Sequence, residues 1–288
     1  MKVSLVIPNY NTWYLVERNI NSALHFDDNL INEIIVVDDC SPTENYINFS
    51  NKVKIIRNEQ NLLYTKTVNI GLKHASGDII MLLDSDAYFV MPLIEKIIQL
   101  FSNNKSLGCI GFKTVDESGN DTGNVLPEPS ILSFIAGQQL HKLLRNYNIF
   151  QSKKLLPFSC AVVFRKNCLQ EMNYLDEQFP YLEADHDISM RIHRSSHWQL
   201  QYVPELMVYH KGGSSIAKNY KRVLQFYESR WLLMKKHNKL GSAFIAKWLT
   251  YIRFSIETLV LQFQSLYKNV DDKIEGRKKL KQLIKNLK

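Results

Sequence analysis

The sequence has few cysteines. Cys40, Cys109, Cys160 and Cys168 are too few and too scattered for a disulfide framework, and none forms a C-x-x-C pair. A small stapled fold and a structural zinc site are therefore excluded, and a reducing cytoplasmic compartment is the expectation. Long apolar runs are also missing. A membrane-spanning helix needs about 18 or more uncharged apolar residues, and the best stretch, Ala243 to Leu261, is interrupted by Lys247, Arg253 and Glu257. The opening residues reach Pro8 too soon for a secretory leader. Glycine is absent where nucleotide-binding enzymes most need it. The segment after the first apolar run is Pro8-Asn9-Tyr10-Asn11-Thr12-Trp13, and no G-x-x-x-x-G-K-[ST] occurs anywhere. Without a glycine cradle, backbone amides cannot close on a pyrophosphate, which excludes dinucleotide and P-loop sites.

What is present is an ordinary globular balance, with 45% hydrophobic and 22% charged residues in 288, enough for a sizeable core. Charge is unevenly spread. Residues 1–210 hold 18 basic and 23 acidic side chains, whereas residues 211–288 hold 18 basic and only 5 acidic. The basic tail suits an anionic surface, whether membrane lipid, nucleic acid or a phosphorylated substrate; a solvated helical face is the simpler reading.

Apolar runs at Lys2–Ile7, Glu33–Val37, Val53–Ile56 and Ile79–Leu83 read as strands, with helical spacing over Leu15–Leu24 and Tyr64–His74 between them. This alternation predicts an α/β fold with a mostly parallel, Rossmann-like sheet flanked by helices. Further on, a helix is expected near Pro92–Phe101 and strands at Leu107–Lys113 and Leu156–Phe164. Helices are expected at Leu132–Asn146 and Ile188–Arg194, and two short strands on either side of Pro204. From Tyr220 the periodicity is helical. Within it, Phe244, Ile245, Trp248, Leu249, Ile252, Ile256, Leu259 and Phe263 recur at three- and four-residue spacing.

A parallel sheet holds its ligand at the carboxyl ends of its strands. Asp38 and Asp39 end the second strand, and Asp84 and Asp86 end the fourth. Carboxylates crowded on one rim repel unless they protonate or share a cation, and a hard divalent ion, Mg²⁺ or Mn²⁺, is the natural occupant. If a diphosphate binds here, a metal must neutralise it.

Four motifs in order carry a family resemblance: Ser4–Asn11 (SLVIPNYN), Ile34–Ser41 (IIVVDDCS), Gly77–Asp86 (GDIIMLLDSD), and the stretch through Asp185-His186-Asp187-Ile188-Ser189-Met190-Arg191. The chain resembles glycosyltransferase family 2, inverting enzymes of the GT-A fold that use nucleotide-sugar donors. The likeness covers about residues 2–215. It implies a catalytic domain over 1–215, with a nucleotide-sugar half to about 115 and an acceptor half over about 116–215, followed by a basic amphipathic helical extension over 216–288.

The resemblance further implies roles. Pro8, Tyr10, Asp38 and Asp39 would line the base and ribose pocket, with Lys66 reaching the base or phosphates. Asp84 and Asp86 form the D-x-D, Asp86 the stronger metal ligand and Asp84 nearer the ribose, and His210 joins them beside the diphosphate or metal. Asp185 matches the acceptor-side base. Ala184 replaces the glutamate that normally precedes it, so Asp187 stands as the alternative base. Asn61, Asn69 and Gly71 follow the family pattern, but Leu63, Thr65 and Thr67 occupy positions where relatives carry small residues. Simpler roles compete: Asp38 or Asp39 as a turn cap, Asp187 as a carboxylate favoured by a helix N-terminus, His210 as a strand-end histidine.

The implied reaction is metal-assisted transfer of one hexose-type sugar from a nucleoside-diphosphate sugar to a hydroxyl of a glycan or lipid-linked acceptor, in bacterial cell-surface polysaccharide synthesis. Arg230-Trp231 lacks the glutamine that completes Q-x-x-R-W in polymer synthases, which argues for single additions. A nucleotidyltransferase would need a glycine-rich basic loop after the first strand, which is missing. A non-catalytic nucleotide-sugar or glycan-binding protein would show no metal-dependent donor binding. The expected partners are donor and acceptor sugars, an anionic membrane surface touched peripherally, and a second copy as a homodimer, with no nucleic acid.

Overall fold

The computed structural model describes residues 1–43, 50–137, 154–210 and 220–288. By its contacts the chain divides into two compact units, residues 1–126 with 154–215 and residues 127–153 with 216–288.

The first unit is built on an eight-stranded sheet. In chain order its strands are β1 (Val3–Asn9), β2 (Glu33–Asp38), β3 (Val53–Arg57), β4 (Ile79–Leu83), β5 (Tyr88–Phe89) and β6 (Leu107–Val115). After a two-stranded ribbon of β7 (Val125–Pro127) and β8 (Leu155–Pro157) come β9 (Ala161–Arg165) and β10 (Gln199–Tyr209). The spatial order is β3-β2-β1-β4-β9-β6-β10-β5. The strands β3, β2, β1 and β4 run parallel, as do β6 and β10, while β9 runs antiparallel to both neighbours. β1, β2 and β4 are buried along their whole length. Strands covered on both faces read as unbroken Val/Ile/Leu runs rather than alternating ones, which is why the sequence shows them so clearly.

Helices cover the sheet. α1 (Trp13–Asp27) buries Trp13, Val16, Ile20 and Ala23 at helical spacing, and α3 (Ile94–Asn103) buries Ile94, Ile97 and Phe101. α2 (Tyr64–His74) lies so close to the sheet that a Cβ on Gly71 would come within 2.4 Å of Val6 Cγ1. α4 (Lys166–Glu171) and α5 (Ala184–Arg194) follow β9.

Three details depart from the sequence expectation. Leu156–Phe164 is two strands, because the chain turns at Phe158–Cys160. β10 runs through Pro204 as one strand; the proline falls where the register with β6 shifts between Val203 and Met207, so its missing N–H breaks no ladder bond. The two-residue β5 was too short to carry a pattern. The helix expected over Leu132–Asn146 is present at 131–137, and its remainder lies outside the described residues.

The second unit packs α6 (Tyr220–Lys236), α7 (Ala243–Gln264) and α8 (Asp271–Asn286) around Tyr227, Trp231, Phe254, Leu280 and Ile284, joined by Phe134. Trp231 of the Arg-Trp pair is a core residue here, its indole N–H donating to Lys288 O at 2.9 Å. Among the described residues no helix is long and apolar enough to cross a membrane.

Candidate active site

Parallel pairing brings the carboxyl ends of β1, β2 and β4 to one edge of the sheet, with Asn9 opposite Asp38. Asp38 is fully buried. Its Oδ1 accepts from Asn9 Nδ2 at 2.8 Å and from the Ser41 hydroxyl, and its Oδ2 pairs with Arg57 at 2.9 Å. Asp39 is also buried; it accepts from Asn58 Nδ2 at 2.9 Å and from the backbone N–H groups of Leu62 and Leu63 at 2.7 and 3.0 Å. That grip holds Leu63 at φ +70 immediately before α2, a conformation costly for a side chain bearing a Cβ. Both aspartates thus spend protein hydrogen bonds on shaping the loops at this rim. Pro8 lies in buried β1, Tyr10 is exposed just beyond it, and Lys66 is exposed on α2.

Asp84 follows β4, where Asn19 Nδ2 donates to its carbonyl at 3.0 Å and its own N–H donates to Cys160 O at 3.1 Å. Its side chain accepts from the Tyr64 hydroxyl at 2.6 Å. Burial pushes the Asp84 carboxyl up to about 6; the Tyr64 hydrogen bond pulls the other way and the neighbouring Asp86 charge adds to the rise. Burial, then Asp84, raise the Tyr64 hydroxyl well above its usual range. His210, at the end of β10, sets Nε2 at 3.5 Å from Asp86 Oδ1. Burial works against its charged form, but the Asp86 hydrogen bond and the Asp84 and Asp86 charges leave it above the ordinary histidine value.

Asp84, Asp86 and His210 each offer a ligand atom, all within 4.8 Å of one another. Two crowded carboxylates and an imidazole form a donor set suited to a divalent ion such as Mn²⁺ or Mg²⁺.

The same cluster extends toward Asp185. Tyr64 Oη lies 3.0 Å from Ser159 Oγ, and Ser159 meets Asp185 Oδ2 through its N–H at 3.0 Å and its hydroxyl at 3.3 Å. A chain of side chains therefore runs from Asp84 through Tyr64 and Ser159 to Asp185. Asp187, two residues on, points elsewhere: it is fully buried and pairs with Arg191 at 2.8 Å, while Arg191 also donates to Tyr174 O. Glu183, at φ +78, is buried against His186 Nδ1 at 2.9 Å. Tyr64 and Ser159 are absent from the sequence reading because neither lies in a motif of charged residues. The one available signal was Arg191, four residues after Asp187, the spacing of a helical ion pair.

A mixed sheet with a carboxylate-and-histidine cluster at the rim of its parallel strands is the architecture of GT-A glycosyltransferases. Among solved structures the chain is similar to TarS 1–349 of S. aureus (TM-score 0.56, 17% identity, covering 95% of this chain and 77% of that one). It is also similar to the mannosyltransferase PcManGT from Pyrobaculum calidifontis, solved with GDP-Man and Mn²⁺ (TM-score 0.56, 11% identity, 98% and 84% covered). At these identities the structural likeness shows a shared fold and nothing finer. The family model for glycosyl transferase family 2 matches residues 4–170, more than half of the chain, and the protein belongs to that family. Among sequence relatives, an uncharacterized glycosyltransferase of Haemophilus influenzae is 28% identical over 129 residues, 44% of each chain. The dolichol-phosphate mannosyltransferase of Pyrococcus furiosus is 31% identical over 112 residues, 37% of this chain and 32% of the relative. The chain thus matches less than half the length of either relative.

Proposed function

We propose that this protein is an inverting glycosyltransferase that moves one sugar from a nucleoside-diphosphate sugar to an acceptor hydroxyl. The observation that carries the reading is the chain from the Asp84–Asp86–His210 cluster through Tyr64 and Ser159 to Asp185, which sets a donor-side cluster and an acceptor-side carboxylate within one network. Family membership and the nucleotide-sugar complexes of its structural neighbours, UDP-GlcNAc for TarS and GDP-Man with Mn²⁺ for PcManGT, support the donor class.

In this reading Asp84, Asp86 and His210 hold a divalent ion, which when bound supplies Lewis-acid stabilisation of the departing nucleoside diphosphate. Pro8, Tyr10 and Lys66 border the nucleotide, while Asp38 and Asp39 shape its pocket through the loops they hold. Asp185 takes the proton of the attacking hydroxyl as the bond to the anomeric carbon forms and the bond to the diphosphate breaks. A general base contributes about 10²–10⁴ in rate. One base suffices for inversion, because no covalent intermediate has to be resolved. Asp187, tied to Arg191, anchors the helix that carries Asp185.

The acceptor class this supports is a glycan or a lipid-linked saccharide of a bacterial cell-surface polysaccharide, handled at the cytoplasmic face of the membrane. The basic residues after 210 suit an anionic surface there, and a homodimer is the competing use of the same helices.

A panel of nucleotide sugars screened for hydrolysis and thermal stabilisation with Mn²⁺, with Mg²⁺ and with a chelator tests the proposal. At least one donor should turn over only with metal, and Asp86→Asn should abolish that turnover without changing the fold. Undiminished turnover in chelator would overturn the metal role. Metal-dependent binding with no turnover on any donor or acceptor would leave a binding protein rather than an enzyme.

A further inference from the structure

Helix α7 is amphipathic in the reverse sense. Its buried positions, Ala246, Thr250, Phe254 and Thr258, form a stripe at four-residue spacing that is mostly small or polar. Its opposite side carries Phe244, Trp248, Ile256, Leu259 and Phe263, exposed by between 56% and 77%, and the chain beyond adds exposed Leu266 and Tyr267. At about 100° per residue the two sets point in opposite directions.

The charges of this helix do not interrupt that outer side, because each is used within the unit. Lys247 Nζ donates to Leu287 O, and Arg253 Nη1 donates to Ile135 O at 2.6 Å. Glu257 pairs with Arg253 at 3.2 Å and with Arg277. What remains outside is a continuous apolar strip along 22 residues, roughly 33 Å at 1.5 Å per residue. A strip of that size marks an interaction surface rather than ordinary surface variation.

Charge selects the occupant. The residues from 211 onward hold 18 basic and 5 acidic side chains. Two copies meeting on this strip would bring two strongly positive units together, whereas an anionic surface would attract them. Lys268, Lys273, Lys278 and Lys285 are exposed. At the first turn of α7 a hollow of about 350 Å³ is lined by Trp231, Lys235, Asn238 and Lys247, among others. Lys281 and Lys285 stand 5.8 and 4.8 Å from the ring of Tyr251 on this helix, and aromatic and aliphatic side chains with lysines beside them fit the region where acyl chains meet headgroups.

We infer that α7 is the docking surface for an anionic phospholipid membrane: it lies in the plane of the interface, its outer strip among the acyl chains and the surrounding lysines over the headgroups. The inference deepens the membrane partner named under the proposed function but stands on the helical unit alone, independent of the donor chemistry.

Flotation of the whole protein with vesicles tests it, using phosphatidylcholine alone and phosphatidylcholine with phosphatidylglycerol, each at low and high salt. Binding should require the anionic lipid and weaken with salt. Phe244→Glu with Phe263→Glu should lower the bound fraction at least tenfold. Lys268→Gln with Lys278→Gln should lower it by about fivefold per lysine, the effect of roughly one surface charge. All four positions are exposed, so thermal unfolding should not move. Absence of flotation at low salt, or equal flotation with neutral vesicles, would overturn the inference. So would a dimer by analytical ultracentrifugation that the double phenylalanine variant dissociates, which would assign the strip to a second copy. Donor hydrolysis in the absence of vesicles is measured on the same variants and should be unchanged, so the two readings fail separately.

Discussion

Ser159 meets one oxygen of Asp185 with two donors, its N–H at 3.0 Å and its hydroxyl at 3.3 Å. Two donors converging on Oδ2 fix the rotamer of the carboxylate, and Oδ1, which accepts from the His186 N–H at 2.8 Å, keeps a lone pair for a proton arriving from an acceptor. Asp185→Asn keeps the shape and loses the basicity. Transfer should fall by about 10²–10⁴, while donor affinity by calorimetry should stay within about twofold, since the base acts on the acceptor alone. Transfer at the wild-type rate would remove Asp185 from the mechanism.

Tyr64 and Ser159 are expected to separate by readout. Tyr64→Phe leaves the ring in place and removes the 2.6 Å bond to Asp84. A hydrogen bond to a charged group contributes about 1.5–3 kcal/mol, or roughly tenfold and more. Because Asp84 belongs to the donor-side cluster, Tyr64→Phe should lower donor hydrolysis and transfer together. Ser159→Ala keeps its backbone N–H on Asp185 and should lower transfer alone, by a smaller factor. Identical profiles for the two variants would show that the chain does not divide into donor and acceptor ends.

The strands that build the rim were readable because burial on both faces writes a strand as a solid Val/Ile/Leu run, as in Ile79–Leu83. The D-x-D was readable because carboxylates crowded at strand ends repel unless they share a cation, whereas His210 entered only through the family resemblance. The bridging residues were not. Tyr64 and Ser159 lie 95 positions apart, and no local pattern joins a tyrosine at a helix start to a serine in a turn. The sheet order alone brings them together. Asp38 and Asp39 illustrate the converse: their residue types announce a ligand site, yet their oxygens face Arg57, Asn58 and loop N–H groups that only the packing of β3 and α2 supplies. Asp185 and Asp187 differ for a helical reason, since two residues of helix turn the side chain by about 200° at 100° each, from the rim toward Arg191.

That difference predicts opposite phenotypes for neighbouring aspartates. Asp187 is fully buried and Arg191 largely so. Removing one partner of a buried ion pair costs about 3–5 kcal/mol, and partial solvation of Arg191 puts this pair at the lower end, about 3. Asp187→Asn should therefore lower the urea midpoint clearly while kcat per folded molecule changes little. A dead variant with an unchanged midpoint would make Asp187 the base in place of Asp185.

The closing prediction concerns Glu33, at the start of β2 and far from the rim. Its Oε1 accepts from Ser4 Oγ at 2.7 Å, Ser76 N at 2.7 Å and Ser76 Oγ at 2.6 Å, and its Oε2 pairs with Lys54 at 3.0 Å. Burial opposes the charge, but the bonds from Ser76, Ser4 and Lys54 outweigh it and hold the carboxyl at about 2, below its ordinary 4.5. A carboxyl depressed on folding takes up a proton more readily in the unfolded chain. Its contribution is therefore complete above pH 4.5 and is lost as pH falls from there toward 2. Glu33→Gln keeps the volume but turns an N–H₂ group into a site built for acceptors, so a loss of about 1–3 kcal/mol is expected at pH 7. The gap between wild type and variant should narrow as the pH falls below 4.5, because wild type loses its advantage and the amide does not titrate. Urea midpoints for both proteins at neutral pH and at two acidic values decide the point. A gap that stays constant across that range would mean that Glu33 stabilises β1 and β2 by its shape and not by its charge.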